Sequence, residues 1–407
     1  MLIFLILAIS PNLILADENT TYWEIQSIDT MKFSRDLARE KLNDKSFEEL
    51  INLQVEEISK TGATHVAVGT PYDNEFIPFL KKWVTAARTH NLKIWFRGNL
   101  SGWEGWFEYP RITSDDHLRD IVKFIRENSD LFEDGDIFTP CTECENGGPG
   151  DPRNTGDILG YRNFLIAEFR TADGAFKKIG KKVTANYFSM NGDVANLIMD
   201  KKTTEDLGGV VVIDHYVDDP ERLSSDLKRI IMNSGGKVIL GEFGVPIPDI
   251  HGEMTESQQA IWLDSALSEL SFVEGLIGIN YWTSFGGTTS IWNSNGVKKS
   301  AVDVLSSYYS PKTIEGKIKN EFDQPLTNVE LRAESKVSDT DKNGYFKIFI
   351  VPSTKEVTIS AEKYEKRVLS VQELENVGEI VLEKSNKGIF FKLQMWFYNM
   401  YKSLTIQ

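Results

Sequence analysis

The amino-acid sequence predicts an α/β protein in three parts: a (β/α)8 TIM barrel, a small all-β sandwich domain and a C-terminal amphipathic helix. The first observation is that eight strand-like runs alternate with helix-like periods across residues 22–311. The second is a change to short alternating strands across residues 312–384. The third is a helical repeat of apolar residues across 385–407. A chain of 407 residues has room for two domains, one of them large.

Eight apolar runs predict the strands of the barrel. They are short, rich in β-branched and aromatic residues, and too continuously apolar to face water on one side. The predicted strands are 23–28, 65–68, 93–97, 136–142, 182–187, 210–214, 237–243 and 276–282. Helical periods follow them; in one, Phe47, Ile51, Val55 and Ile58 share a face. An open doubly wound sheet is the alternative, but no G-x-G-x-x-G or G-x-x-x-x-G-K-S/T motif follows any of these strands.

The charge balance of the chain argues against a polyanionic partner. The sequence has 45 basic and 60 acidic residues, a net charge of −15. We therefore expect no nucleic-acid partner, because binding to a phosphate backbone needs a basic surface. Neutral polymers remain open as ligands.

The N-terminal segment predicts export. Residues 2–15 are almost wholly apolar, and Ala16 is followed by Asp-Glu-Asn, which is typical of a signal peptide over residues 1–16. The chain would then be secreted or held at the cell surface. An uncleaved N-terminal anchor is the alternative, because no Lys or Arg precedes the apolar run and Ile14 is bulky for its place before the cleavage site.

The segment 312–384 is punctuated by turn signals such as Asp341-Lys-Asn-Gly344, as in a small antiparallel sandwich. Its predicted strands are 314–319, 329–333, 345–350, 357–361, 366–370 and 379–382. The strings Ile314-Glu-Gly-Lys-Ile, Gln324-Pro-Leu and Thr340-Asp-Lys-Asn-Gly-Tyr-Phe346 resemble the carboxypeptidase regulatory-like (transthyretin-type) domain. That resemblance implies a non-catalytic spacer or adhesion role.

The last 23 or so residues combine an apolar helical face with positive charge. Phe390, Leu393, Phe397, Tyr401 and Leu404 recur at helical spacing, and every charged residue from 384 onwards is a lysine. A basic amphipathic helix with aromatic residues suits a membrane surface. A helix docked onto the sandwich or the barrel is the alternative.

Two carboxylates follow buried strands and are the main candidates for chemistry. Glu143 comes after the apolar run 137–140, on the fourth strand, and Glu242 comes after 238–240, on the seventh. The carboxyl ends of barrel strands are where barrel enzymes place their sites. A pair of carboxylates, one acid and one nucleophile, is what glycosidic bond cleavage with retention requires. The acid's pKa is expected to be raised while the nucleophile is ionised.

The barrel resembles the clan of retaining β-glycosidases that includes cellulase- and mannanase-like families. The string Gly241-Glu-Phe-Gly244 is similar to the nucleophile motif of that clan, which implies that Glu242 is the nucleophile and Glu143 the acid/base. Asn280-Tyr-Trp282 resembles its aromatic platform, so Trp282 would lie under the sugar. Asp214-His-Tyr216 matches the place of residues that orient the nucleophile, which implies that role for His215 or Tyr216. The resemblance covers residues 22–309.

The strand-four string departs from the pattern of the clan. The clan commonly has Asn before the acid/base, bound to the sugar's 2-hydroxyl, whereas this chain has Thr142. Glu145 is a competing candidate for the acid. The alternative is that Glu145 is only a surface charge at the start of the loop. Cys141 and Cys144 frame Glu143; a single C-x-x-C lacks the four ligands of a structural zinc site, so a disulfide or two buried thiols are the alternatives.

Further candidates lie on the same predicted edge of the barrel. Arg97 ends the third strand, where it could hold the charge of the nucleophile or be a surface arginine. The loop aromatics Trp103, Trp106 and Trp292 could stack on sugar rings or simply pack their loops. No metal and no cofactor is expected. The predicted function is a retaining glycoside hydrolase for β-linked oligo- or polysaccharide; the alternatives are a transglycosylase, or an inactive barrel that binds carbohydrate at the cell surface.

Overall fold

A computed structural model describes residues 21–148, 150–385 and 388–405, so the predicted signal peptide lies outside the described residues. Eight parallel strands form one curled sheet, in the order β4-β3-β2-β1-β8-β7-β6-β5. Their bounds are β1 (Ile25–Asp29), β2 (His65–Val68), β3 (Lys93–Phe96), β4 (Ile137–Phe138), β5 (Ser189–Asn191), β6 (Val210–Asp214), β7 (Lys237–Phe243) and β8 (Leu276–Tyr281). The predicted (β/α)8 barrel is confirmed.

The fourth and fifth strands are shorter than the sequence predicts, and this is where the barrel closes. β4 ends before Pro140, whose missing N–H cannot continue the ladder. The predicted strand 182–187 contributes only a parallel bridge between Thr184 and Ile137, and the regular strand begins at residue 189. Between them, the hydroxyl of Thr139 donates to the carbonyl of Tyr187 at 2.8 Å, so a side chain replaces a backbone pairing.

Helices surround the sheet and bury their apolar faces against it. In the long helix between β1 and β2 (Ser46–Ser59), Phe47, Ile51, Val55 and Ile58 are buried, as the spacing predicts. The helices are α1 (Met31–Ser34), α2 (Ala38–Lys41), α3 (Ser46–Ser59), α4 (Ile77–Thr89), α5 (Ser101–Glu104), α6 (Ser114–Glu127), α7 (Pro152–Thr155), α8 (Ile158–Ile179), α9 (Gly192–Ile198), α10 (Lys201–Asp206), α11 (Pro220–Ser234), α12 (Pro248–His251), α13 (Glu256–Ser271), α14 (Ser300–Tyr309), α15 (Val371–Asn376) and α16 (Ile389–Thr405).

The barrel interior changes from apolar to polar towards the carboxyl ends of the strands. Side chains alternate along a strand, so residues two apart face the same way. On β3, buried Trp95 belongs to an apolar cluster and buried Arg97 follows the strand. On β6, Val212 belongs to the same cluster, while Asp214 is buried and polar. The apolar layer forms a floor, and the polar residues above it form the candidate site.

The second domain consists of two small sheets. Their strands are β9 (Lys312–Asn320), β10 (Glu330–Ala333), β11 (Lys336–Asp339), β12 (Tyr345–Ile350), β13 (Glu356–Ser360), β14 (Arg367–Ser370) and β15 (Glu379–Leu382). The sheet orders are β11-β10-β13-β14 and β12-β9-β15. The sequence predicted all of these strands except β11, and it missed α15. Pairing is antiparallel except between β15 and β9, which run parallel.

The β domain contacts the barrel near the end of α13, which precedes β8. The hydroxyl of Ser335 donates to the carbonyl of Ser271 at 2.6 Å, and Arg332 pairs with Glu274 at 2.8 Å. The ammonium of Lys336 lies 4.7 Å from the centre of the Tyr22 ring. These contacts lie at the amino ends of the barrel strands, away from the carboxyl edge that carries the candidate carboxylates.

One side of α16 packs on the β domain. The rings of Phe391 and Tyr398 lie 5.7 and 5.6 Å from that of Phe322, and the Tyr398 hydroxyl bonds to Asp323. Other large side chains of the helix are exposed to solvent: Leu393, Trp396, Phe397, Met400 and Tyr401. The docked helix is thus observed, while association of its exposed side with a membrane surface stays a prediction. Among the described helices, none is both long and apolar enough to cross a membrane.

Candidate active site

Glu242 and Glu143 lie on the polar edge of the barrel but in different backbone settings. Glu242 is part of strand β7, where the pairing with β6 and β8 shifts register, and it is buried. Glu143 follows β4 in a turn, with left-handed backbone angles (φ 43°, ψ 57°), and its amide donates to the carbonyl of Ser189 at 2.9 Å. A non-glycine residue in this conformation costs on the order of 1 kcal/mol, so the surrounding loop must hold it there.

Two donors fix the carboxylate of Glu242. The Arg97 guanidinium donates to its Oε1 at 2.8 Å, and the Tyr216 hydroxyl donates to its Oε2 at 2.9 Å. Both oxygens are therefore engaged from different strands, which sets the orientation of the carboxylate. Arg97 is buried, so its interpretation as a surface arginine is wrong.

Arg97 is also shared with two other buried carboxylates. It donates to Asp214 at 3.2 Å, and its Nε lies 3.7 Å from an oxygen of Asp29. Burial raises the pKa of Glu242, raises that of Asp29 to about 6, and raises that of Asp214 well above its ordinary range. One guanidinium thus faces three carboxylates, so the cluster as a whole favours uptake of a proton. Glu242 has the shortest of the three contacts to Arg97, and its second donor, Tyr216, also favours its ionised form.

Glu143 has a looser environment. The amide of Asn146 donates to its carboxylate at 3.2 Å. Burial and repulsion from Glu145 raise the pKa of Glu143, and the charge of Arg97 opposes that rise. A carboxyl group whose pKa is raised keeps its proton to higher pH, which is what a general acid requires.

Glu145 does not lie on the surface, so its interpretation as a surface charge is wrong. It is buried, and its carboxylate accepts from the Tyr161 hydroxyl at 3.0 Å and from the backbone amide of Asn191 at 2.7 Å. These two bonds fasten the strand-four loop to α8 and to the end of β5. A carboxylate occupied in this way is less available to a leaving group than that of Glu143.

His215 and Tyr216 point in different directions. Tyr216 makes the contact with Glu242, whereas Nε2 of His215 lies 2.9 Å from a carboxylate oxygen of Asp226 on α11. The proposed orienting role for His215 is therefore wrong, because adjacent residues at the end of a strand face opposite ways. Tyr216 fits that role.

Thr142 and the two cysteines shape the turn around Glu143. The hydroxyl of Thr142 donates to the carbonyl of Arg97 at 3.0 Å, so it ties the turn to the end of β3. Cys141 and Cys144 are joined in a disulfide, which selects one of the two alternatives from the sequence. The turn is thus restrained on both sides of Glu143.

The four candidate tryptophans divide into two pairs. Trp282 and Trp106 are partly exposed, and Trp282 meets the ring of Tyr216 edge-on at 6.2 Å. Trp103 is fully buried and stacks on Phe164 at 5.0 Å, while Trp292 is buried and stacks in parallel on a phenylalanine of its own loop. Neither buried ring offers a face to a sugar, so the predictions for Trp103 and Trp292 as substrate contacts are wrong.

Sequence reasoning missed several charged residues of the site. Asp29 ends the first strand just as Asp214 ends the sixth, a placement that the strand pattern already contained. Lys32 and Arg35, in the loop after β1, lie against the rings of Trp282 and Trp106. No local motif marks these two cations, because the rings that they contact are distant in sequence.

Comparisons with known proteins identify relatives by fold only. No family model and no curated protein matches the chain. A GH5_18 variant from Bifidobacterium longum subsp. longum, solved in complex with Manβ1-4GlcNAc, is similar at 14% identity and a TM-score of 0.54, over 74% of this chain and 84% of that one. This similarity supports the barrel fold.

Two further solved structures are more weakly similar. The β-glycosidase BGL167 has 12% identity and a TM-score of 0.47, over 71% of this chain and 95% of that one. Bacteroides uniformis β-glucuronidase 3 has 12% identity and a TM-score of 0.44, over 83% of this chain. The chain spans about half the length of that β-glucuronidase, 47% of it.

Proposed function

We propose that this chain is a retaining β-glycosidase that acts on β-linked oligo- or polysaccharide. The observation that carries the proposal is the pairing of a strand-seven carboxylate, fixed by Arg97 and Tyr216, with a strand-four carboxyl group of raised pKa. Retention requires these two roles: a carboxylate that attacks and an acid that protonates. The barrel similarity to a GH5_18 enzyme is consistent with the proposal.

In the first step, the Glu242 carboxylate attacks the anomeric carbon while Glu143 donates its proton to the departing glycosidic oxygen. The products of this step are a glycosyl ester on Glu242 and an ionised Glu143. In the second step, Glu143 takes a proton from water, whose oxygen attacks the anomeric carbon and releases Glu242. Arg97 and Tyr216 hold Glu242 in place through both steps.

The test is the substitution Glu242→Ala in the full chain, assayed with a panel of activated aryl β-glycosides. We expect turnover to fall by about 10⁴-fold or more, because no covalent intermediate can form. Added azide should restore part of the rate and give the glycosyl azide of inverted configuration. NMR of the first product of the unmodified protein should show retention of the anomeric configuration.

Three outcomes would overturn this proposal in different ways. An inverted first product would assign the site to an inverting hydrolase. Transfer of the sugar mainly to other sugars, rather than to water, would make the protein a transglycosylase. Absence of turnover across the panel, together with saturable binding of a polysaccharide, would favour the carbohydrate-binding barrel.

We also propose that the protein works outside the cytoplasm, secreted or at the cell surface. The Cys141–Cys144 disulfide supports this, because disulfides persist in oxidising compartments. Cell fractionation, with alkylation of free thiols before reduction, tests both parts. Recovery of a cytoplasmic protein with two alkylated cysteines would refute the proposal.

A further inference from the structure

The loop after β1 brings two cations to the aromatic walls of the candidate site. The Lys32 ammonium lies 5.3 Å from the centre of the Trp282 ring, and the Arg35 guanidinium lies 4.9 Å from that of Trp106. These rings are the two candidate sugar platforms that remain partly exposed. A sugar seated on them would therefore have a positive charge beside it.

The backbone around this loop holds Lys32 in place. The amide of Met31, the first residue of α1, donates to Asp29 at 2.6 Å, which fixes the turn that Lys32 follows. On the other side, Gly286 and Gly287 adopt left-handed angles (φ 74° each), and a Cβ on Gly286 would come within 3.2 Å of Lys32 Cβ. The absence of side chains there leaves room for the lysine beside the platform.

The two cations share a single carboxylate. Lys32 pairs with Asp36 at 3.0 Å, and Arg35 pairs with the same residue at 2.8 Å. The nearby Arg39 provides a contrast, because it forms a two-pronged pair of its own with Glu75, at 2.6 and 2.7 Å. Lys32 and Arg35 together therefore carry one positive charge more than Asp36 neutralises.

One further acidic group near Arg35 adds little negative charge. Burial raises the pKa of Glu104 to about 8, so this residue is largely protonated at neutral pH. The charge of Arg35 lowers the pKa values of Glu143 and Glu242, which burial raises. Lys32 and Arg35 thus present two cations on the side of the site that carries Trp282 and Trp106.

We propose that Lys32 and Arg35 recognise an anionic substituent on the sugar bound at this site, either the carboxylate of a uronic acid or a sulfate ester. This inference rests on the proposed glycosidase function, whose substrate class it specifies. A carboxylate or sulfate suits the place because both groups accept several charge-assisted hydrogen bonds from a guanidinium and an ammonium. About a third of the Lys32 side chain remains accessible to solvent, so a ligand can reach it.

The experiment compares matched pairs of aryl β-glycosides that differ only in the anionic group: glucoside against glucuronide and glucoside against glucoside 6-sulfate, with the corresponding galacto series. We expect kcat/KM to favour one acidic member by at least about 10-fold, and to fall with added salt for that member only. Comparison of the glucuronide pair with the 6-sulfate pair shows whether the site recognises a carboxylate or a sulfate ester.

Lys32→Ala and Arg35→Ala should each lower the ratio of kcat/KM on the acidic substrate to kcat/KM on its neutral partner by about 10- to 100-fold. Lys41→Ala is the matched control, because Lys41 on α2 pairs with Glu40 and Asp44. Preference for the neutral substrates, or equal losses on both members of a pair, would overturn the inference and leave the glycosidase function standing.

Calorimetric binding of methyl β-D-glucuronoside and methyl β-D-glucoside, with the 6-sulfated glucoside as a third ligand, separates the two proposals. If no glycoside is hydrolysed but an acidic ligand binds and Lys32→Ala weakens that binding about 10-fold, the substrate inference stands and the catalytic proposal fails. Equal or absent binding of acidic and neutral ligands to the unmodified protein counts against the inference itself.

Discussion

The carboxylates of Glu242 and Glu143 are held in opposite ways. Glu242 belongs to a paired strand, and donors that follow β3 and β6 occupy both of its oxygens. Glu143 follows a two-residue strand in a left-handed turn, and its carboxylate accepts one long bond from the neighbouring Asn146. The barrel strands hold the carboxylate of Glu242, whereas a loop holds that of Glu143.

This difference corresponds to the chemistry that we propose for each residue. A nucleophile must keep one ionisation state and one orientation, so fixed donors on both oxygens suit it. An acid/base must gain and lose a proton within each cycle, so strong fixed donors to its charged form would work against it. Substitutions around Glu242 and around Glu143 should therefore differ in kind as well as in size.

The largest expected difference concerns the leaving group. Glu143→Ala should lower kcat/KM by about 10³-fold or more on a substrate with a poor leaving group, which needs protonation, and by less than about 10-fold on a dinitrophenyl glycoside, which does not. Glu242→Ala should abolish turnover of both substrates. Measuring both variants on both substrates gives four rates; equal losses for Glu143→Ala would show that Glu143 is not the acid.

The second prediction concerns the donor from β6. Tyr216→Phe removes one hydrogen bond to Glu242 and should lower kcat by about 10- to 100-fold. Because the tyrosine hydroxyl lowers the pKa of Glu242, its loss raises that pKa, and the acidic limb of the kcat/KM profile should move to higher pH.

His215→Ala is the matched control for Tyr216→Phe, because His215 is adjacent in sequence but contacts Asp226. We expect the acidic limb of the kcat/KM profile of His215→Ala to coincide with that of the unmodified protein. A shift of equal size in both variants would mean that Tyr216 acts only through local structure.

The contrast between the surroundings of Glu242 and those of Glu143 also explains what the sequence could and could not predict. Glu242 follows the apolar run 238–240 within strand β7, so strand patterning alone places it on the carboxyl edge of the barrel. On the fourth strand, the prediction of 136–142 was too long, because Pro140 and a hydroxyl bond from Thr139 end the regular pairing early. The position of Glu143 therefore depends on a turn, and turn geometry is poorly specified by periodicity.

The side-chain environment was the least predictable part. The pattern put Trp103 and Trp282 on the same edge but could not tell that the first packs on Phe164 while the second stays accessible. Likewise, His215 and Tyr216 were equal candidates until the structure showed that the side chain of Tyr216 contacts Glu242 and that of His215 contacts Asp226. Contacts between distant segments, such as that of Lys32 with Trp282, have no signature in the sequence around either residue.

A smaller effect is expected from Glu145. Its charge raises the pKa of Glu143, so Glu145→Gln should lower that pKa and move the basic limb of the kcat/KM profile to lower pH. Glutamine keeps one oxygen that accepts from the amide of Asn191, and its NH2 group can donate to the oxygen of Tyr161, so the fold should be retained and kcat should change by less than about 5-fold. An unchanged basic limb would indicate that Glu145 is already neutral in the working range, and a loss as large as that of Glu143→Ala would make Glu145 the acid.

The smallest expected effect is that of the Cys141–Cys144 disulfide, and it should be confined to the strand-four side. The bond closes a loop of four residues, for which unfolded-state entropy predicts about 2 kcal/mol of stabilisation, so reduction should lower Tm by a few degrees. Because the bond frames Glu143 and not Glu242, reduction should lower kcat on poor leaving groups by about 2- to 5-fold and leave the azide-rescued rate of Glu242→Ala unchanged.

Cys141→Ala/Cys144→Ala should reproduce both effects without a reductant, since alanine leaves no polar atom in the buried turn. A fall in azide rescue on reduction would show that the two sides of the site are mechanically coupled, and the distinction between a barrel-held and a loop-held carboxylate would then fail.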